Sequence, residues 1–178
     1  MIARRTAALL AATVLAATLS ACAPTASPTP SPTATGFASE EEAFAAAEAT
    51  YRAYVDALNE VDLSDPATFE PVYALTSGEL NAQDRESFSK LYADGTRVSG
   101  STKILAIKPN DVSFPEVTLS VCTDVSDIEV TDQSGKSLVS DDRPDLQART
   151  ITLTAEAAGD FRLARIGDPV EGFTCESN

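Results

Sequence analysis

The sequence predicts an α+β domain, with N-terminal helices packed on an antiparallel sheet, and three observations carry that prediction. Apolar residues recur every three or four positions through Phe44, Ala47, Tyr51, Tyr54, Val55 and Leu58, which gathers them on one stripe of a helix. Beyond Gly95 the period falls to two, most clearly where Val117, Leu119 and Val121 alternate with Thr118, Ser120 and Cys122. The two patterns occupy separate halves of the chain, the order expected of α+β rather than alternating α/β architecture.

The first residues prepare for export. Arg4-Arg5 precedes an uncharged run from Thr6 to Thr18. At about 13 residues it has the length of a signal-peptide core and is too short to span a bilayer as a stable helix. Leu19-Ser20-Ala21-Cys22 closes it and resembles the lipobox of bacterial lipoproteins: an aliphatic residue, two small ones, then cysteine. That resemblance implies that residues 1–21 are removed, that the Cys22 thiol receives a diacylglyceryl group, and that the new amino group is acylated, with palmitate a typical chain. The competing reading is an ordinary signal peptide that leaves Cys22 free, and a free exported thiol would be a liability. Several acyl chains make a stable anchor where one is marginal. The expected place is the extracytoplasmic face of the cell membrane, with the membrane itself as first partner.

Residues 22–38 then read as the lipidated cysteine and a Pro/Thr/Ser-rich tether. Pro24, Pro28, Pro30 and Pro32 stand among Ser and Thr without a charge up to Gly36. Such a segment favours polyproline II and at about 3.1 Å per residue reaches roughly 40 Å. O-glycosylation of Thr25, Thr29, Thr33 or Thr35 is an alternative use of the same composition.

The folded domain is expected over residues 39–178. Ser39-Glu40-Glu41-Glu42 is a capping box with three carboxylates in the first turn, where the helix dipole favours them. It opens a helix of about 22 residues. Asp65-Pro66 restarts a helix, and Pro71 bends or breaks it, so one or two short turns carry Phe69, Val72, Tyr73 and Leu75. Ser77-Gly78 reads as a loop, and a third helix runs from about Asn81 to Ala93, burying Phe88, Leu91 and Tyr92 before Asp94-Gly95 ends it. Val98 and Ile104 to Ile107 fall in one strand bent at Gly100. Lys108-Pro109-Asn110-Asp111 is expected to turn the chain into the strand around Val117–Val121. Ile128-Val130 and Leu138-Val139 flank a loop, as a hairpin or an excursion. Asp141 to Asp145 reads as an exposed acidic turn, and Thr150–Ala157 and Phe161–Ile166 pair across Gly159-Asp160.

Cys122 sits mid-strand and Cys175 near the end. Two leftover cysteines in an exported chain pair, which would staple the terminal tail.

This order of elements resembles the NTF2-like (cystatin-like) cone, in which helices pack on a curved antiparallel sheet. Val121-Cys122-Thr123-Asp124, the Asp132–Gly135 turn, Phe161-Arg162-Leu163 and Thr174-Cys175 resemble a group of secreted actinobacterial lipoproteins of that fold. The resemblance spans Ser39 to Cys175 and implies a cone used as a small-molecule pocket, a protein-binding surface or an enzyme site.

Composition removes several function classes. There is no histidine and no tryptophan. Without His a Ser-His-Asp or Cys-His catalytic set cannot form within the chain, and His-dependent cyclase or dehydratase chemistry does not carry over. Two cysteines do not make a thiolate zinc site. Arg4 and Arg5 are the only charges before Cys22, so the 13 basic residues fall to 11 against 27 acidic, net −16 for the mature part. Such a chain is repelled by nucleic acid. Gly135-Lys136-Ser137 mimics the end of a phosphate loop, but Val130 stands where its first glycine belongs. Asp124, Asp127, Asp132, Asp141, Asp142 and Asp145 lack the spacing of a calcium loop. No cofactor, no metal and no catalytic residue is therefore expected. The reading is a non-catalytic, membrane-anchored binding or accessory domain for a protein partner or a small apolar ligand on the concave side of the sheet. The alternative is a cone-pocket isomerase or cyclase that sets a buried carboxylate beside Tyr51 or Tyr54.

Overall fold

Helix α1 (Glu40–Asn59) starts at the expected cap: Ser39 is extended, and its Oγ accepts the Glu42 N–H at 3.2 Å. Glu42 reaches back one residue further than an ideal box, its carboxylate accepting Ala38 N–H at 2.6 Å. Asp65 caps a single 3-10 turn (Pro66–Phe69), which runs directly into α2 (Glu70–Leu75) with Pro71 in its first turn, where a missing N–H does no harm. The computed structural model describes residues 37–155 and 160–175. Cys22, the expected signal peptide and the expected tether as far as Gly36 lie outside the described residues.

Helix α3 (Gly78–Ala93) begins three residues earlier than its periodicity suggests, with Ser77 as its cap. It carries no fully buried residue, and Tyr92, expected inside, is 49 % exposed. Its stripe is narrow because it covers the edge of the core rather than the centre. Gly95 follows at φ +64, the left-handed conformation that ends helices and suits glycine.

Among the described residues six strands follow: β1 (Arg97–Ser99), β2 (Lys103–Ser113), β3 (Glu116–Asp124), β4 (Glu129–Thr131), β5 (Leu146–Ala155) and β6 (Phe161–Gly167). The main sheet is antiparallel in the order β2-β3-β5-β6, and β1 pairs with β4 in a separate two-stranded ribbon. Two expectations are corrected here. Val98 and Ile104 do not share a strand, since Gly100 separates β1 from β2 and sends them to different sheets. Lys108-Pro109-Asn110-Asp111 is not the turn. It lies inside β2, and the chain reverses at the cis Phe114-Pro115 peptide. Proline is tolerated there because β2 is an edge strand with a register shift between Pro109 and Asp111.

The core lies between α1 and the sheet. Ala47, Tyr51, Tyr54 and Val55 meet Val117, Leu119 and Val121 of β3 and Ile151 and Leu153 of β5. Phe37 joins it, stacked on Phe161 at 5.3 Å between ring centroids, so packing begins two residues inside the stretch assigned to the tether. A smaller cluster of Leu63, Phe69 and Tyr73 adjoins it, with Phe88 at 5.1 Å from Phe69. On the other face of the sheet Ser120, Cys122 and Thr152 are also buried. The C-terminal tail is fastened to that face by a Cys122–Cys175 disulfide, and Lys108 lies 5.9 Å from the Phe173 ring.

Candidate ligand cavity

The middle of the concave side is filled by the core between α1 and the sheet. Tyr51 and Tyr54 are core residues, and burial pushes the Tyr51 phenol up to about 12 and Tyr54 still higher. Space opens instead beyond the last turn of α1. A cavity of about 480 Å³ lies there, within the range typical of small-molecule sites.

Each wall has a local cause. Leu58 and Asn59 end α1, and Val61 and Leu63 follow in the loop. The Asn59 amide ties this end to the β1–β2 link: it donates to Thr102 C=O at 3.0 Å and accepts Thr102 N–H at 2.8 Å. Phe88 and Leu91 come from α3, and Phe88 is held by its contacts with Phe69 and Tyr73. Val98 of β1 and Val130 of β4 close the roof. Gly100 makes the tightest approach in the site, since a Cβ at this position would fall 1.8 Å from the Asp127 carbonyl oxygen, with φ at +87. Only glycine lets the two loops meet so closely.

The far wall comes from a segment that reads as a solvated acidic turn. Arg143, flanked by Asp141, Asp142 and Asp145, turns inward and lines the cavity together with Gln147. Its Nη2 donates to the carbonyls of Val125 at 2.9 Å and Ile128 at 3.1 Å, and Val125 N–H donates to Asp145 C=O at 2.8 Å. Its Nε is buried without a hydrogen-bond partner, and among the described residues Arg143 pairs with no carboxylate. The described lining holds no Asp, Glu, Tyr or Cys, so the cavity offers an apolar surface, amides, hydroxyls and one guanidinium.

A perturbed carboxyl does exist, but elsewhere. Asp84 of α3 is half-buried with Oδ2 unpartnered, and burial pushes it up to about 6 while the Thr76 hydroxyl pulls it back down. Its charge in turn contributes to the raised Tyr54 phenol. Asp84 does not line the cavity. Neither Arg143 nor Asp84 was singled out by sequence, because both partner sets are distant in the chain.

The remaining sequence candidates sort simply. Cys122 and Cys175 are joined, on the face of the sheet away from the helices. Gly135 and Lys136 belong to a turn in which Asp132 Oδ1 accepts the N–H groups of Ser134 and Lys136. Asp124 accepts Ser126 N–H in the same way, and among the described residues no three acidic or sulfur ligands gather for a metal.

No family model and no curated protein matches this chain. Solved structures do. A proposed aromatic ring hydroxylase of Novosphingobium aromaticivorans aligns over 73 % of this chain and 90 % of its own, at 10 % identity and a TM-score of 0.50. The VirB8 homologue CagV of Helicobacter pylori aligns over 70 % and 98 %, at 13 % identity and a TM-score of 0.41. VirB8 of Agrobacterium tumefaciens aligns over 76 % and 98 %, at 13 % identity and a TM-score of 0.40. Three helices on a curved antiparallel sheet, with the first of these similarities, establish that the domain has the NTF2-like α+β fold.

Proposed function

We propose that this chain is a bacterial lipoprotein, held at the extracytoplasmic face of the cell membrane through acyl chains on Cys22, whose NTF2-like domain is a non-catalytic binding module for a small apolar ligand. The observation that carries the binding part is the 480 Å³ cavity with its apolar walls and no carboxylate, thiol or phenol among its described lining residues. A large apolar cavity with a few convergent polar groups is the usual form of a ligand site. The anchor rests on the lipobox alone. Two measurements test the reading. Nile red, a neutral apolar probe, should bind the wild-type chain saturably and lose that binding in Leu91→Trp, which fills the cavity. Cell fractionation should place the wild type with membranes and Cys22→Ser in the soluble fraction. A Cys22→Ser protein that stayed on the membrane would remove the anchor.

Asp84 favours the second reading, a cone-pocket enzyme that uses a buried carboxylate. A substrate would have to reach it through the packing of α1, α2 and α3. Labelling with a water-soluble carbodiimide and an amine decides this on the folded protein. Modified Asp84 supports an open catalytic carboxyl; Asp84 untouched while surface carboxyls react rejects it.

A further inference from the structure

The polar groups of the cavity are not equivalent, and the difference specifies a ligand. Asn59 is spent on both backbone groups of Thr102. Arg143 is only half spent. Two carbonyls hold Nη2 and fix the guanidinium in place, while Nε is buried with no acceptor. A buried donor without an acceptor is an exception in folded proteins, and a charged one more so. The surrounding chain makes it more unusual still. The sequence carries 27 acidic residues against 13 basic, yet none of the acidic ones sits with Arg143 among the described cavity lining. The side-chain amide of Gln147, beside it, makes long contacts of 3.5 Å with the Pro144 carbonyl and Arg149.

We infer that the cavity takes an amphiphile with an apolar body and one anionic oxyanion head, the head lying against the Arg143 guanidinium, which meets no carboxylate among the described residues, and the body lying against Phe88, Leu91 and Val130. This deepens the reading of a small-ligand module and depends on it. Carboxylates and phosphate esters share the chemistry, and a guanidinium recognises both through charge-assisted hydrogen bonds. The net negative charge of the chain opposes an approaching anion at long range, but salt screens that repulsion over about 8 Å while the buried contact is screened far less. Affinity for the anionic ligand should therefore hold or rise as salt is added, the reverse of a surface-patch interaction.

The test is calorimetric titration of the full chain carrying Cys22→Ser, which avoids detergent, with decanoate, decyl phosphate, decanol and decylammonium, each below its micellar concentration. Decanoate or decyl phosphate should bind at least about tenfold more tightly than decanol, and decylammonium more weakly than decanol. The tighter of the two anions names the head group. Arg143→Met should bring the anions down to the decanol value while decanol itself is retained, which also shows the variant to be folded. Decanol equal to or tighter than both anions in the wild type overturns the head-group assignment and leaves the apolar-ligand reading standing. No binding by any of the four overturns both. The wild-type comparison alone decides, so a variant that loosens the 125–128 turn does not spoil the test.

Discussion

At the scale of single residues, Asp84 makes the clearest prediction. Its carboxyl is raised by burial to about 6, above the ordinary value near 3.8 that the unfolded chain shows, so the folded state holds the proton to higher pH. Linkage then gives the sign: the stabilising contribution is complete below about 4 and is lost as pH rises through about 6. Urea denaturation at pH 4 and pH 7 should show this slope, reduced in Asp84→Asn. The Asn variant should be more stable than wild type at pH 7 by on the order of 1 kcal/mol, allowing for solvent screening of a half-exposed group. An unchanged or lower stability at pH 7 would show the charge to be tolerated. Nothing in the sequence marks this residue. Gln83, Asp84, Arg85 and Glu86 read as one polar helical run, and only the packing of α3 beside Thr76 and Tyr54 separates Asp84 from its neighbours. Arg143 was hidden for the same reason, since its partners are carbonyls at positions 125 and 128. The one sequence trace it leaves is a lone cation inside an acidic turn.

At the scale of elements, legibility followed the strength of local rules. The long helix α1 could be read almost residue by residue, because its cap and its stripe are both local patterns and both agree with burial. The strand half was readable where strands are central. β3 and β5 alternate cleanly, whereas β2 at the edge accepts proline and bulges that locally spell a turn. The same bulges, with Lys103, Lys108 and Pro109, blunt an edge that would otherwise invite another strand. The β1–β2 link also sets a sharp prediction. Gly100→Ala forces both an unfavourable φ and a collision with the Asp127 backbone, so the two loops must part. It should lower stability by at least about 2 kcal/mol in urea and weaken Nile red binding, because one wall of the cavity moves. An unaffected Gly100→Ala would mean that this wall does not shape the site.

At the largest scale, the described domain is a filled cone with a side chamber. The helices seal its centre with aromatic rings, and the open space is displaced to the end where α1, α3 and the β1–β4 ribbon meet. Sequence periodicity could predict which faces are buried but not where the layers fail to touch, which depends on the relative tilt of distant elements. The tail contributes on the opposite side. The disulfide closes a loop of 53 positions. In the chain-entropy model this stabilises by about 4 kcal/mol. Cys122→Ala with Cys175→Ala should lower stability by roughly 2–4 kcal/mol in urea. A loss well below that range would place the tail's contribution in its noncovalent contacts, such as Lys108 with Phe173.

The Cys122–Cys175 bond has a further consequence, which concerns damage. A protease that nicks the chain at the exposed Glu171-Gly172 would produce two pieces that remain covalently joined, because Cys175 lies beyond the cut and Cys122 lies within the main body. The injured protein would gain the mass of one water and lose no fragment until a reductant arrived. Wherever proteases are frequent and thiols scarce, the tail can be cut without being shed.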